Sequence, residues 1–170
     1  DGGHRIPFIV RWPGKVKAGA KSGHLVCLTD LMATCAEILG EKLPDNAGED
    51  SFSILPVLRG ASGVALREAV VHHSVNGKFA IRRGRWKLEL CPGSGGYVGK
   101  PGDVEAKKDG LPLVQLYDMA ADVGEQKNLQ ADQKQVVADL TKLLERYVVE
   151  GRSTPGELQK NDVNVDIWKR

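Results

Sequence analysis

The stretch Asp1–Lys15, DGGHRIPFIVRWPGK, decides the fold that we expect for this chain. It contains a short apolar run, Ile6–Val10, that is rich in β-branched and aromatic residues and is followed by the turn signal Pro13-Gly14. A run of this length between turn signals is typical of a strand buried on both faces, as in a parallel sheet. Pro7 favours the first strand position or an edge, because it cannot donate to a ladder. We therefore predict a buried strand whose neighbours are missing from the sequence before it.

A helix is predicted after this strand, over Leu31–Leu39, with Thr29 or Asp30 as its N-cap and Gly40 just past its end. This helix should pack on the sheet that contains Ile6–Trp12, because a strand followed by a helix is the unit of a layered α/β domain. Its predicted buried face consists of Leu31, Cys35, Ile38 and Leu39.

The pattern changes at about residue 65, where short strand-like runs begin. Asn76-Gly77 and Gly84 separate three of these runs, and Asn-Gly between such runs is a strong hairpin signal. Cys91–Leu111 is rich in Gly, Pro and Lys and has no periodicity, so we predict a long surface loop there. The four predicted strands are Ala69–Ser74, Lys78–Arg83, Arg85–Leu90 and Val114–Asp118.

The clearest element is a helix over Asp132–Glu150, with Asp132 and Gln135 as a capping box and Gly151 at its end. At roughly 27 Å it is long enough to cover a four-stranded sheet. Its apolar stripe comprises Val136, Val137, Leu140, Leu143, Leu144, Tyr147 and Val148.

These elements predict a mixed α/β (α+β) chain in three parts. Residues 1–64 would be the end of an α/β domain, and a brief turn or helix at Leu55, Val57 and Leu58 would close it. Residues 65–151 would form a four-stranded antiparallel sheet packed against the helix 132–150. Residues 152–170 would be an extended tail that docks through Val165, Ile167 and Trp168.

Composition excludes several classes of protein. The 24 basic and 22 acidic residues give a formal charge of +2, which argues against a dedicated nucleic-acid binder. No apolar run approaches the roughly 18 residues that a membrane-spanning helix needs. Three cysteines without CxxC spacing predict neither a zinc site nor a disulfide framework, and Cys35 is expected to be a buried small hydrophobe.

GGHRIPFIVRWPGK resembles a segment of the sulfatases, the arylsulfatase family within the alkaline phosphatase superfamily. His4 stands where that family usually has an aliphatic residue, and we assign it no role. The resemblance covers nearly the whole chain but only about the C-terminal third of a sulfatase. Seven downstream pieces agree in the family's order: Leu28–Thr34, Leu43–Asp45, Arg67–His73, Phe79–Arg82, Trp86–Leu88, Gln115–Asp118 with Glu125 and Asn128-Leu129 behind it, and Gly151–Gly156.

The resemblance implies calcium-assisted hydrolysis of a sulfate monoester by a formylglycine made from a cysteine. Cys91-Pro92-Gly93-Ser94 fails as the cysteine motif, because Pro follows Cys directly and the required Arg is missing. Asp45-Asn46 mimics the metal-binding pair but lies in a loop after a helix. We therefore expect no catalytic residue, metal ligand or cofactor in this chain, and an isolated chain that is inactive. The resemblance also implies a periplasmic or secreted protein.

His72-His73 is the best remaining candidate for a substrate-binding site. On a strand the two rings point to opposite faces, so at most one can face a given pocket. One hypothesis is a hydrogen-bond donor to the sulfate ester at the rim of the cleft. The alternative is that one ring packs under the helix while the other is solvated.

Other charged residues have structural explanations. Arg5 is expected to pair with a carboxylate such as Asp1, or to orient the active-site loop. A basic set on the hairpin strands either attracts anionic substrates or protects the sheet edge as solvated charges; it comprises Lys78, Arg82, Arg83, Arg85 and Lys87. A second set, before the long helix, is expected to form turns; it comprises Asp118, Asp122, Glu125 and Asn128.

Two other function classes remain open. One is a non-catalytic binding or assembly module that forms homo-oligomers through an exposed sheet edge. Oligomerisation that is lost on mutating Phe8 or Val10 would favour it. The other is a fragment of a related hydrolase of phosphate esters, since the residues that separate the two chemistries would lie upstream. An exposed or irregular Ile6–Val10, with no parallel-sheet character and no flanking helix beside it, would overturn the enzyme-fragment interpretation.

Overall fold

The computed structural model describes residues 3–61, 63, 65–96 and 102–169, and contains four helices and four strands in those ranges. The chain divides into two compact units. One consists of residues 1–4, 71–149 and 161–170, and the other of residues 5–70 and 150–160. The elements in order are α1 (Asp30–Leu39), α2 (Leu55–Leu58), β1 (Val70–His73), β2 (Phe79–Arg83), β3 (Trp86–Glu89), α3 (Asp103–Lys108), β4 (Gln115–Asp118) and α4 (Lys134–Glu150).

The four strands form one sheet in the order β1-β2-β3-β4, and β3 is antiparallel to both of its neighbours. Gly84 supplies the positive φ, +56°, that the tight connection between β2 and β3 needs. Leu88 on β3 lies opposite Ile81 on β2 and Leu116 on β4, and all three side chains are fully buried. The predicted mixed α+β fold, with its four-stranded antiparallel sheet and long C-terminal helix, is confirmed.

The long helix α4 begins at Lys134 and ends at Glu150, followed by Gly151 with a φ of +65°. The predicted capping box is wrong, because the helix begins two residues after Asp132 and the amide of Gln135 donates to Asp139 at 2.8 Å. The predicted stripe faces inwards, and its central members are buried: Leu140, Leu143, Leu144 and Tyr147.

The predicted buried face of α1 is wrong, because Leu31, Cys35, Ile38 and Leu39 are all exposed. The buried positions are the polar residues Asp30 and Thr34. Asp30 accepts hydrogen bonds from the backbone of Cys27 (2.8 Å) and Phe52 (3.0 Å) and pairs with Arg67. The hydroxyl of Thr34 accepts one from the backbone of Ile54 at 3.0 Å. The polar face of α1 is therefore the buried one, because it forms hydrogen bonds to the loop that follows the helix, and the apolar face is left exposed.

The predicted strand at Ile6–Val10 is wrong as well. The segment is irregular, and Ile6, Phe8 and Ile9 are exposed, Ile9 to 90%. A strand needs a hydrogen-bonded neighbour, and no described residue bonds to the backbone of residues 6–10. α1 packs instead against α2, so the expected packing of α1 on a sheet containing this segment is also wrong. The chain's family must therefore be established from other observations.

The predicted surface loop Cys91–Leu111 is partly wrong. It contains the short helix α3, whose Ala106 is fully buried, and Cys91 is buried too. Residues 97–101 of this loop lie outside the described residues. The tail has neither helix nor strand over 152–169, and Ile167 is buried, as expected of a docked tail.

Candidate functional site

His72 and His73 occupy the end of strand β1, an edge of the sheet. His73 is exposed, and its ring contacts the Phe79 ring edge-on, with 4.2 Å between centroids. His72 is half-buried, and its Nε2 atom is buried without a hydrogen-bond partner. The two histidines of the dipeptide therefore meet different surroundings.

His4, to which the sequence assigned no role, joins this cluster. Its ring lies 4.2 Å from the His72 ring, between centroids, with a tilt of 49° between the planes. Its Nε2 donates a hydrogen bond to the carbonyl oxygen of His73 at 2.8 Å. We name His4, His72 and His73 the histidine cluster. No sequence signal pointed to His4, because its two neighbours are 68 and 69 residues away in the chain.

Both histidines of β1 favour the neutral form. Burial, followed by the charges of His4 and Lys87, lowers the pKa of His72 to about 3. Partial desolvation of the exposed His73 ring, followed by the charges of Lys169 and His4, lowers its pKa. At neutral pH each ring is therefore an uncharged group that can donate one hydrogen bond and accept another. The ammonium of Lys169, one of these neighbours, makes the surroundings of His73 favourable for an anion.

Lys87 on β3 is buried, although the sequence places it in a basic set that was expected to be solvated or to attract anions. Its side chain is 2% exposed, and Nζ lies 2.5 Å from Glu89 and 2.6 Å from Glu125. Burial acts to lower the pKa of Lys87, but the charge of Glu89 and the hydrogen bond to Glu125 outweigh it and raise that pKa. The ammonium of Lys87 is thus a fixed internal charge, unavailable to a ligand.

Other members of the basic set are also paired. Lys78 lies 3.3 Å from Asp103, and Arg85 forms an ion pair with Asp118. The side chain of Arg82 donates to the carbonyl oxygen of Gly84 at 3.3 Å. The partners lie in helix α3 (Asp103), in strand β4 (Asp118) and in the turn between β2 and β3 (Gly84), and the two carboxylates offset part of the positive charge of the set.

The acidic and amide residues after β4 mostly form turns, as predicted. Asp122 accepts hydrogen bonds from the backbone of Gln126 and Lys127, both at 2.8 Å. Asn128 accepts one from the backbone of Gln130 at 3.0 Å, which is a turn contact, and another from the backbone of Leu116 in β4 at 3.0 Å. Glu125 differs, because its carboxylate reaches Lys87 and its own φ is +54°.

The two sequence motifs that most resemble the family's metal-binding pair and cysteine motif do not have the chemistry that those roles require. The carboxylate of Asp45 lies 3.0 Å from the guanidinium of Arg152 and accepts the backbone N–H of Glu157, so it is already committed and does not fit a calcium site. Cys91 is buried, and its thiol donates to the carbonyl oxygen of Gly93 at 3.4 Å. Burial, with the charges of Glu89 and Asp103, raises the pKa of Cys91 to about 12, which disfavours the thiolate.

Two kinds of feature are absent from the described ranges. Residues 3–61, 63, 65–96 and 102–169 contain no group of three or more His, Cys, Asp or Glu that could hold a metal ion. In those same ranges no helix is both long and apolar enough to cross a membrane. Asp1, the predicted partner of Arg5, lies outside them.

Known proteins resemble the chain over most of its length. It is 37% identical over 145 residues to an N-acetylgalactosamine-6-O-sulfatase of Bacteroides thetaiotaomicron, a match that covers 85% of this chain and 27% of that protein. An ulvan-active sulfatase of Formosa agariphila is 30% identical over 151 residues, covering 76% of this chain and 29% of the relative. No family model matches. The chain thus spans less than a third of the length of these curated relatives.

A solved structure from Bacteroides thetaiotaomicron, determined in work on the metabolism of multiple glycosaminoglycans, shares the fold with a TM-score of 0.66 and 35% identity. The match covers 84% of this chain and 28% of that one. The relatives named above are hydrolases, and this is the class of protein to which the chain is related. The chain belongs to the sulfatase family.

Proposed function

We propose that this chain is the C-terminal portion of a sulfatase, that it forms one side of the substrate cleft, and that it is catalytically incomplete alone. The matches to sulfatases, each covering less than a third of the relative, carry this proposal. The chemistry of Asp45 and Cys91 supports it, because neither side chain is available to bind calcium or to supply the nucleophile. Calcium and formylglycine, which the family implies, would act from the remainder of the enzyme.

Within this portion, His73 contacts the substrate and His72 positions it. The ring of His73 is exposed, held edge-on by Phe79, and uncharged at neutral pH. An uncharged imidazole carries one N–H group, which can donate a hydrogen bond to a hydroxyl or sulfate oxygen. His72 and His4 contact each other, and His4 bonds to the carbonyl oxygen of His73, so the cluster fixes the end of β1.

The substrate class is a sulfated sugar. The similar protein of Bacteroides thetaiotaomicron is named for N-acetylgalactosamine 6-O-sulfate, and the Formosa agariphila relative for activity on ulvan. The ammonium of Lys169, a neighbour of His73, favours an anionic ligand of this kind.

One experiment tests whether the isolated chain is catalytically incomplete. The isolated chain is incubated with a chromogenic aryl sulfate and calcium, and we expect no release of the phenol above background. An aryl phosphate in a parallel assay tests the phosphate-ester alternative. Turnover of either ester by the isolated chain would contradict the proposal.

A second experiment tests the role of His73. In a chimera, this chain replaces the aligned part of the Bacteroides thetaiotaomicron N-acetylgalactosamine-6-O-sulfatase. His73→Ala should raise KM for N-acetylgalactosamine 6-sulfate by about tenfold, the equivalent of one hydrogen bond, while kcat changes little. His24→Ala, in the other unit, is the matched control and should leave both constants unchanged. An unchanged KM in His73→Ala would refute the assignment.

A further inference from the structure

A cationic side chain from the tail shares an aromatic neighbour with His73. Nζ of Lys169 lies over the Phe79 ring, 5.8 Å from its centroid, and the His73 ring contacts the same ring edge-on, with 4.2 Å between centroids. His73 and Lys169 are exposed, whereas Phe79 is buried. All three residues belong to the unit formed by residues 1–4, 71–149 and 161–170. We name them the Phe79 platform.

The surroundings of Lys169 hold it at this place. Its carbonyl oxygen accepts a hydrogen bond from Nζ of Lys78 at 3.2 Å, and Ile167, two residues earlier, is buried. The φ of Lys169 is +48°, a left-handed value that persists in a non-glycine residue only where neighbouring groups maintain it. Its side chain passes the connection between β1 and β2, because a Cβ on Gly77 would lie 3.9 Å from both Cε and Nζ. The end of the tail is therefore fixed beside this connection.

The charge of Lys169 is not neutralised within the part of the chain that the structure describes. No described carboxylate lies within ion-pair distance of its Nζ, and a contact with an aromatic face leaves the positive charge in place. Lys78 differs, because Asp103 lies 3.3 Å from its Nζ. The field of Lys169 reaches His73, whose pKa is lowered first by partial desolvation and then by this ammonium. The Phe79 platform thus combines an uncharged donor with a full positive charge.

We propose that Lys169 is a specificity-determining residue that binds a second anionic group of the substrate, a carboxylate or a further sulfate, while His73 bonds to the sugar that carries the scissile sulfate. This inference rests on the proposed function. A neutral imidazole with one N–H suits a hydroxyl or a single oxygen, whereas a lysine ammonium is a point charge that suits an anion. One buried ring positions both donors, so a saccharide with two acidic groups gains from each of them.

Paired substrates test this assignment in the chimera. One is a disaccharide in which N-acetylgalactosamine 6-sulfate is linked to glucuronic acid, and the other is its methyl ester, in which the carboxyl group is uncharged. At low ionic strength, where screening is weak, Lys169→Met should raise KM for the acid by about fivefold and leave KM for the ester unchanged. Lys169→Arg should keep the KM of the parent chimera for the acid. Lys142→Met, at an exposed position on α4, is the matched control and should alter neither KM.

A second pair, N-acetylgalactosamine 4,6-disulfate and the 6-sulfate, tests a further sulfate as the anionic group. A loss confined to the doubly acidic substrate in either pair supports the proposal and identifies that group. Equal KM changes for both members of each pair, or no change in any of them, would overturn it and leave Lys169 as an anchor of the tail.

If the chimera does not fold, NMR titration of this chain with the acid and the ester replaces the kinetics. The amide of Gly77 should shift more with the acid, and Lys169→Met should abolish the difference; equal shifts with the two compounds would refute the assignment. The KM for the singly sulfated sugar responds to His73→Ala and not to Lys169→Met. Failure of this inference and failure of the proposed function are therefore distinguishable.

Discussion

The ammonium nitrogen of Lys87 lies 2.6 Å from Oε1 of Glu125, a residue 38 positions further along the chain. Lys87 is 1% exposed, and a second carboxylate, that of Glu89, lies 2.5 Å from the same nitrogen. The contact joins strand β3 to the turn that follows β4. It also accounts for the left-handed backbone of Glu125, since a strained residue persists only where its surroundings hold it.

Lys87→Met should therefore destabilise the chain by about 3 kcal/mol, because it removes the ammonium that two carboxylates share in a buried site. Urea denaturation measures the loss. The double variant Lys87→Met/Glu125→Gln should lose less than the sum of the two single variants, because the residues share one interaction. Arg85→Met is the control and should cost less, because the Arg85 side chain is 54% exposed and its buried partner Asp118 keeps the backbone N–H of Ala120 as a hydrogen-bond donor. Equal losses for Lys87→Met and Arg85→Met would contradict this account.

Acidification should destabilise the chain through His72. The pKa of His72 is about 3 in the folded chain, and its ordinary value is 6.5. The contribution of His72 to the free energy of unfolding is therefore fully present above pH 6.5 and is lost as the pH falls towards 3. At pH 5 an unfolded His72 is protonated and a folded one is not, which costs about 2 kcal/mol. Unfolding by urea at pH 7 and pH 5 measures the difference. His72→Phe should remove most of it, and an unaltered pH dependence in that variant would show that another group is responsible.

Two glycines that follow helices should respond differently to alanine. Gly40 and Gly151 both have positive φ, +74° and +65°, so alanine costs about 1–2 kcal/mol at each through left-handed strain. A Cβ on Gly40 meets open space, whereas one on Gly151 collides with the carbonyl oxygen of Gln159. Gly151→Ala should therefore be clearly the more destabilising of the two in thermal unfolding. A Gly40→Ala loss that matches or exceeds it would be inconsistent with this packing.

The thiols of Cys35 and Cys91 should react at very different rates. Cys35 is exposed on α1, whereas Cys91 is buried and its pKa is raised to about 12. In variants that retain a single cysteine, an aromatic disulfide reagent at pH 8 should label Cys35 at least about 100-fold faster than Cys91, because the thiolate is the reactive form. In denaturant the two rates should converge. Fast labelling of native Cys91 would reopen its candidacy as a nucleophile.

The sequence predicted best those elements whose signals are local. Asn76-Gly77 and Gly84 marked the connections between three strands, and the apolar stripe of α4 marked its buried face within 17 residues. Those signals depend on backbone conformations and helical periodicity that near neighbours determine.

Prediction failed where partners distant in sequence decide the outcome. The buried face of α1 is polar because Arg67 and Phe52 reach Asp30 from 37 and 22 residues away. The burial of Lys87 depends on Glu125 in the same way. His4 joined the histidine cluster through a contact that no spacing rule could indicate. Ile6–Val10 has the sequence pattern of a strand, but it has no strand partner among the described residues.

Both outer strands of the sheet carry protein groups on their free edges. On β4, the side chain of Asn128 accepts the backbone N–H of Leu116, and the N–H of Leu129 bonds to its carbonyl oxygen at 2.8 Å. On β1, the imidazole of His4 holds the carbonyl oxygen of His73. Side chains and loop backbone thus occupy positions at which another molecule's strand would have to add. This opposes the addition of further strands to the folded sheet, as occurs in amyloid growth. Self-association of the chain would instead begin at Ile6–Val10.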